Sequence, residues 1–133
     1  MKNQVTSIEQ SKRLIELGVP AEKASMVWEM DEDCARLKIW NTDKETRRVL
    51  HNKYPNYYVP AFTVADLLGM IKPIDIGPDT CNPCLEKMGN EGVWIFEFGQ
   101  ILGDEDFGYA FNHSLIDLLA DRIEWIVSNG YKK

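Results

Sequence analysis

Apolar residues near the start of the chain recur with the period of an α-helix. They share one side of a helical wheel, while charged residues occupy the opposite arc. Thr6 followed by Glu9 forms a capping-box pattern, which predicts where this helix begins. Gly18 predicts its end, and Pro20 can open a further short turn because proline is tolerated at a first helical position. The apolar positions of the predicted helix are Ile8, Leu14 and Ile15.

Further along, the period changes to two, which is typical of strands in a sheet that is wet on one face. Met26 to Met30 and Ala35 to Trp40 both alternate, and Asp31-Glu32-Asp33 between them predicts a turn. Residues 93–102 are rich in β-forming side chains, and residues 107–111 can return as their partner. The pattern therefore predicts two β-hairpins.

A helix is also predicted between the hairpins. Thr63 with Asp66 repeats the capping pattern ahead of an apolar stripe, and Pro73 stops it. Residues 41–62 show no clear period, so we expect a long connection with room for a short helix or an edge strand.

The last predicted helix covers Leu115 to Asn129, with Asn112 as its N-cap and Gly130 closing it in a left-handed conformation. Its apolar residues cover an arc of about 220° at roughly 100° per residue, which is wider than one sheet face needs. We therefore predict that Leu118 and Trp125 line a contact with a second copy or with a partner protein. The competing interpretation is burial under the long connection.

Together these elements predict an α+β protein with an antiparallel sheet of about four strands, in two hairpins, and about three helices. A chain of 133 residues with 44% hydrophobic residues is expected to form a single compact domain, 1–133.

Charge restricts the range of functions. The formal net charge is −6, and a domain of that sign repels phosphate backbones, so we expect no general nucleic-acid binding. The acidity is concentrated in residues 85–133, which hold 4 basic and 9 acidic side chains, against 11 and 12 in residues 1–84. Three cysteines predict a reducing compartment, and no apolar run has the length of a signal peptide or span, so we expect a cytoplasmic protein without membrane contact.

Cys81-Asn82-Pro83-Cys84 is the most specific-looking motif, because this spacing can form a strained disulfide and lets two thiolates hold one metal ion. No second cysteine pair accompanies it. We interpret it as a cysteine-containing turn without a cofactor, and zinc binding or redox use of Cys81 and Cys84 is the alternative.

Basic and aromatic side chains interleave at one place, where Arg47, Arg48, His51 and Lys53 lead into Tyr54, Tyr57 and Tyr58. Single-strand binding proteins stack bases on aromatic side chains presented from a rigid sheet. This stretch is predicted to be a loop, so the interpretation is a packed loop or a protein contact.

Arg122 falls inside the apolar arc of the last helix, between Leu118 and Trp125, where an unpaired guanidinium is costly. It is predicted to form an ion pair or to reach solvent, and the alternative is capture of a ligand carboxylate.

No recognised catalytic motif occurs, so we do not expect an enzyme. The tripeptide Asp-Glu-Asp occurs at residues 31–33 and 104–106, and we interpret both copies as solvated turns rather than calcium ligands.

Three segments resemble a group of short proteins of uncharacterised function from Bacteroides-type gut bacteria and their phages and mobile elements. They are residues 6–21, 60–68 and 123–131, which together make up 34 of the 133 positions. The resemblance implies a compact accessory protein related to phages or mobile elements, and implies no activity, cofactor or site residue.

The function we expect is that of a non-enzymatic accessory or binding protein that acts through protein–protein contacts. Two alternatives come from other classes. One is a zinc- or redox-dependent protein, and the other is an acidic inhibitor of a nucleic-acid-binding protein.

Overall fold

A computed structural model describes residues 4–76, 79–89, 92–98 and 109–130. Contacts between Cα atoms divide the chain into two units, Met1–Leu67 and Leu68–Lys133. The described residues form an α+β structure, as predicted, with four α-helices and eight short strands rather than about three and four. The α-helices are α1 (Ile8–Glu16), α2 (Lys44–Lys53), α3 (Val64–Met70) and α4 (Leu115–Ser128). The strands are β1 (Met26–Met30), β2 (Ala35–Ile39), β3 (Tyr58–Ala61), β4 (Ile74–Ile76), β5 (Asp79–Cys81), β6 (Pro83–Met88), β7 (Val93–Phe98) and β8 (Ala110–Asn112).

The first unit contains an antiparallel sheet in the order β2-β1-β3. The predicted hairpin around Asp31–Asp33 is confirmed, because β1 pairs with β2 from Met26 opposite Ile39 to Met30 opposite Ala35. One face of this sheet forms a core in which Trp28 lies opposite both Leu37 and Val59. The buried members of this core are Val5, Met26, Trp28, Val59 and Ala61.

The start of α1 differs from the prediction by one residue. Ser7, not Thr6, is the N-cap, and its capping box is completed by Gln10 rather than Glu9. Thr6 is fully buried instead, where its hydroxyl bonds Ser11 and accepts from the backbone N–H of Phe62. The physical reason is that Thr6 lies next to an isolated bridge between Val5 and Thr63, so its side chain faces the core and cannot cap.

Residues 41–62 hold more regular structure than a long connection. Asp43 caps α2 by accepting from the backbone N–H of Thr46 at 2.7 Å, and the Arg47 guanidinium donates to the carbonyls of Thr42 and Ala24 at 3.1 and 3.0 Å. No residue of α2 is buried. The sequence allowed a short helix or an edge strand in this stretch, and the structure has both, α2 and the edge strand β3; a helix that buries nothing gives no period from which its bounds could be predicted.

The second unit contains the two-stranded sheet β4-β5 and the antiparallel sheet β6-β7-β8. The pairing of 93–98 with 110–112 confirms the second predicted hairpin in its strands, while its turn and residues 99–102 lie outside the described residues. Ser114, not Asn112, caps α4, and the Asn112 side chain accepts from the backbone N–H of Ser114. Gly130 has φ +76°, as predicted for a left-handed closing residue.

The helix α4 packs on one face of the β6-β7-β8 sheet. The buried side chains of this core are Ile74, Cys81, Phe96, Phe98, Leu118 and Ile126. Leu85, Trp94 and Ala110 are partly buried against it, and they alternate with residues that point to the other face. Among the described residues, no helix is long and apolar enough to span a bilayer.

Candidate functional site

The structure corrects the interpretation of Cys81 and Cys84 as a turn. Cys81 ends β5, where it pairs with Ile74, and Cys84 lies in β6 opposite Glu97. Cys81 is 1% exposed in the core beside Phe96 and Phe98. Cys84 is half-buried, and its thiol donates to a carboxylate oxygen of Glu86 at 3.8 Å. The motif thus joins two strands.

This arrangement gives the two thiols different surroundings. Neither forms a disulfide. Burial first, and then the charges of Glu86 and Glu97, raise the pKa of the Cys84 thiol. A redox or metal-binding cysteine needs the opposite shift, toward thiolate. Within the described ranges, no three His, Cys, Asp or Glu side chains are grouped as a metal site requires.

The three tyrosines do come together, at the junction of α2 and β3. The ring of Tyr57 meets that of Tyr58 edge-on at 4.7 Å, and Tyr54 lies 6.3 Å from Tyr58 at a tilt of 59°. The Lys53 ammonium lies 5.5 Å from the centre of the Tyr54 ring. Rings set at such angles pack on one another as a loop cluster rather than offering parallel faces to successive bases.

Arg122 has the ion pair that its position predicted. Its Nε donates to a carboxylate oxygen of Asp121 at 3.0 Å, and the guanidinium carbon lies 5.5 Å from the centre of the Trp125 ring. The ring of Trp125 also stacks on Phe98 at 5.9 Å and 28°. Arg122 and Trp125 therefore belong to the packing of the second unit.

Leu118 does not line a contact surface. It is 1% exposed and lies in the core with Phe96, Phe98 and Ile126, so the prediction that it meets a partner is wrong. The reason is that Phe96 and Phe98 of β7 pack with Leu118 and Ile126 in one core.

Exposed apolar side chains also lie on the opposite side of the same sheet. Paired residues in an antiparallel sheet point to the same face, and alternate residues point to opposite faces. The registers Cys84 with Glu97, Glu86 with Ile95, Met88 with Val93 and Ile95 with Phe111 therefore define one face, turned away from α4. We call this the outer face, made of Cys84, Glu86, Met88, Val93, Ile95, Glu97 and Phe111.

The outer face is more apolar than a solvated sheet face normally is. Phe111 is 64% exposed and Met88 is 48% exposed. Tyr109, just before β8, is also exposed, and its ring lies 6.2 Å from that of Phe111. A sheet with one face on the core usually alternates apolar inward with polar outward residues. Here apolar residues occupy both faces.

Two carboxylates lie within this apolar surface. Glu97 lies opposite Cys84 in the strand pair, and Glu86 lies two residues along β6 on the same face. Among the described residues, no Lys or Arg forms an ion pair with either one. Lys87, the neighbour of Glu86, lies instead 5.6 Å from the centre of the Trp94 ring.

Sequence reasoning missed this surface because it took residues 81–84 as a turn. The signal was present, since Cys84, Glu86 and Met88 alternate with Leu85 and Lys87 at period two. Only the pairing of three strands shows that Phe111 joins them.

Comparison with protein-family models, with curated proteins and with solved structures gave no match at any of the three levels. The functional argument therefore depends on the geometry of the outer face.

Proposed function

We propose that the protein is a non-enzymatic accessory protein of the cytoplasm that acts by binding another protein through the outer face. The observation that carries this proposal is the exposure of Phe111 and Met88 on a sheet whose opposite face already holds a complete core. Contiguous exposed apolar side chains mark interaction surfaces more often than scattered ones do, and on this face Val93 and Ile95 of β7 lie between Met88 and Phe111.

The residue types suit a protein contact. Aromatic side chains and methionine are enriched at the centres of interfaces, because they bury a large area with few rotatable bonds or adapt to an irregular partner. Tyr109 beside Phe111 adds a ring whose hydroxyl can stay in contact with water at the rim.

A second copy and nucleic acid are both poorer occupants than a different protein. The second unit carries 5 basic and 11 acidic residues, so its formal charge is −6, whereas the first unit, with 10 of each, is neutral. Two outer faces placed together would bring four carboxylates into one interface, and a phosphate backbone would be repelled in the same way.

The resemblance of residues 6–21, 60–68 and 123–131 to short proteins of gut bacteria and their phages supports an accessory role. These segments lie largely outside the outer face, so the resemblance and the surface argue for the role separately.

The proposal is tested by comparing capture partners of matched variants in the cells that produce the protein. Wild type, the double variant Met88→Ser/Phe111→Ser and the control Ile39→Ser are each tagged and purified under the same conditions. Ile39 is an exposed apolar residue of the first unit, so the control removes apolar surface elsewhere. All three proteins are first checked for unchanged thermal unfolding.

We expect a protein that wild type and Ile39→Ser retain and that the double variant loses. A photo-crosslinking residue at position 111 is expected to attach to the same protein. Equal capture by all three proteins would contradict the proposal. So would crosslinking by a photo-crosslinking residue at position 39 when the same residue at position 111 gives none.

The concentration of acidic charge in the second unit favours one more candidate, an acidic inhibitor that covers the nucleic-acid-binding surface of its partner. This role requires that nucleic acid and the protein compete for the captured partner. A mobility-shift titration tests it, and simultaneous binding of both would exclude it.

A further inference from the structure

The two carboxylates of the outer face restrict what can cover it. Glu86 lies opposite Ile95, and Glu97 is two residues further along β7, so the two glutamates are diagonal neighbours across a strand pair. Diagonal neighbours are about 7–8 Å apart. Any occupant that buries Phe111 and Met88 also removes part of the water around these two charges.

Removing water from a carboxylate is unfavourable unless a cation or hydrogen-bond donor replaces it. In the first unit this need is met locally, because Lys38 pairs with Glu29 at 2.8 Å across the β1-β2 pair. On the outer face no described basic side chain does so for Glu86 or Glu97. A basic side chain of the occupant would meet this need.

We infer that the partner segment presents apolar side chains to Phe111 and Met88 and two Lys or Arg side chains to Glu86 and Glu97. This inference rests on the proposed function, and it adds the chemistry of the partner. The spacing fits residues two apart in a strand, or three or four apart in a helix, since both place side chains about 5–7 Å apart on one face.

A set of three short synthetic peptides tests the inference on the full-length chain. The first is an amphipathic helix of leucine and lysine, with lysines at i and i+4 beside the leucine face. In the second, glutamate replaces every lysine, and in the third, serine replaces every leucine. Binding is measured by fluorescence anisotropy at low salt and at physiological salt.

We expect the leucine–lysine peptide to bind and to weaken as salt is raised, and each of the other two peptides to bind at least about tenfold more weakly. The Glu86→Gln/Glu97→Gln variant is expected to lose about tenfold in affinity for the leucine–lysine peptide, because two partly exposed charge pairs are lost. Glu32→Gln/Asp33→Asn removes the same formal charge from an exposed turn of the first unit and is expected to bind like wild type.

The outcomes separate the two proposals. If Glu86→Gln/Glu97→Gln binds like wild type while Met88→Ser/Phe111→Ser loses binding, the surface stands and the inferred chemistry is overturned. If Met88→Ser/Phe111→Ser also binds like wild type, the surface itself is wrong. Equal weakening by the first-unit control, or no binding of the leucine–lysine peptide, overturns the inference.

Discussion

The two three-stranded sheets of this protein both place one face on a core, but the side chains on their opposite faces differ. In the first unit, one face of β2-β1-β3 forms the core, and the other face holds buried Val27 together with the ion pair between Lys38 and Glu29. In the second unit, β6-β7-β8 has its core on α4, yet its other face carries exposed Phe111 and Met88 around two glutamates with which no described Lys or Arg forms an ion pair.

The difference shows why the exposed side of a sheet is informative about function. A wet face with balanced charges is stable in water and needs no further explanation. A wet face with large apolar side chains and uncompensated charge is not the arrangement that folding alone favours. Glu29 of the first sheet, which pairs with Lys38, thus serves as the reference for Glu86 and Glu97 of the second.

The largest expected effect distinguishes the two faces of the second sheet. Leu118→Ala is expected to lower the free energy of unfolding by about 2–5 kcal/mol, because it leaves a cavity among Phe96, Phe98 and Ile126. Phe111→Ala on the outer face is expected to cost less than about 1 kcal/mol. Urea unfolding measures both. Similar costs for the two variants would mean that the outer face is also core, and the comparison would fail.

A smaller loss of stability is expected in the first unit, from removing the buried hydroxyl of Thr6. The Thr6 hydroxyl bonds Ser11 at 2.7 Å and accepts from the backbone N–H of Phe62 at 3.0 Å. Thr6→Val keeps the shape but leaves both groups without this partner, so we expect a loss of about 1–3 kcal/mol.

The matched control is Thr6→Ser, which keeps the hydroxyl and is expected to cost about 1 kcal/mol or less through its lost methyl group. Urea unfolding ranks the two variants. A serine variant that is less stable than the valine variant would show that packing, not the hydroxyl, holds this core.

Both sheets show which features the sequence predicts well. The hairpin β1-β2 was predicted because its alternation and its Asp31–Asp33 turn agree, and α4 was predicted because its apolar arc is long. The helix α2 was not, because its residues bury nothing and Asp43 alone marks its start. A helix that buries no side chains needs no apolar stripe, so its sequence shows no helical period.

The candidate site was harder to predict than the fold. A wide apolar arc shows that α4 is covered, but it cannot show that Phe98 and Phe96 cover Leu118 and that the open surface is elsewhere. The outer face depends on the register of three strands, and Phe111 is far from Glu86 along the chain. Period-two patterns give the face of each strand, whereas strand pairing requires the structure.

Two glycine substitutions compare a position whose backbone is left-handed with one whose backbone is helical. Each is expected to change the free energy of unfolding by about 1 kcal/mol. Gly18 has φ +98° directly after α1, so Gly18→Ala is expected to cost about 1 kcal/mol or more. Gly69, inside α3, has no atom within 4 Å of an added Cβ, so Gly69→Ala is expected to stabilise by about 0.4–1 kcal/mol. Thermal unfolding gives the sign of each change, and equal signs would contradict the stated backbone roles.

The smallest effect concerns the electrostatics of the outer face and is read from the Cys84 thiol. Burial and the charges of Glu86 and Glu97 raise the pKa of this thiol, so less thiolate is present at a given pH. Glu97→Gln removes one negative charge, which lowers the pKa, and alkylation by an uncharged reagent is expected to become faster below the midpoint of the pH–rate profile.

The experiment uses a Cys34→Ser background, because Cys34 is exposed while Cys81 is buried, so that Cys84 supplies the signal. Glu32→Gln in the first unit is the control and is expected to leave the profile unchanged. The two units again contrast. Cys34 lies beside Arg36, whose pKa is raised by the hydrogen bond and charge of that thiol, whereas the charges of Glu86 and Glu97 raise the pKa of the Cys84 thiol. A profile that does not move in Glu97→Gln would mean that the carboxylate is too well solvated to act on the thiol.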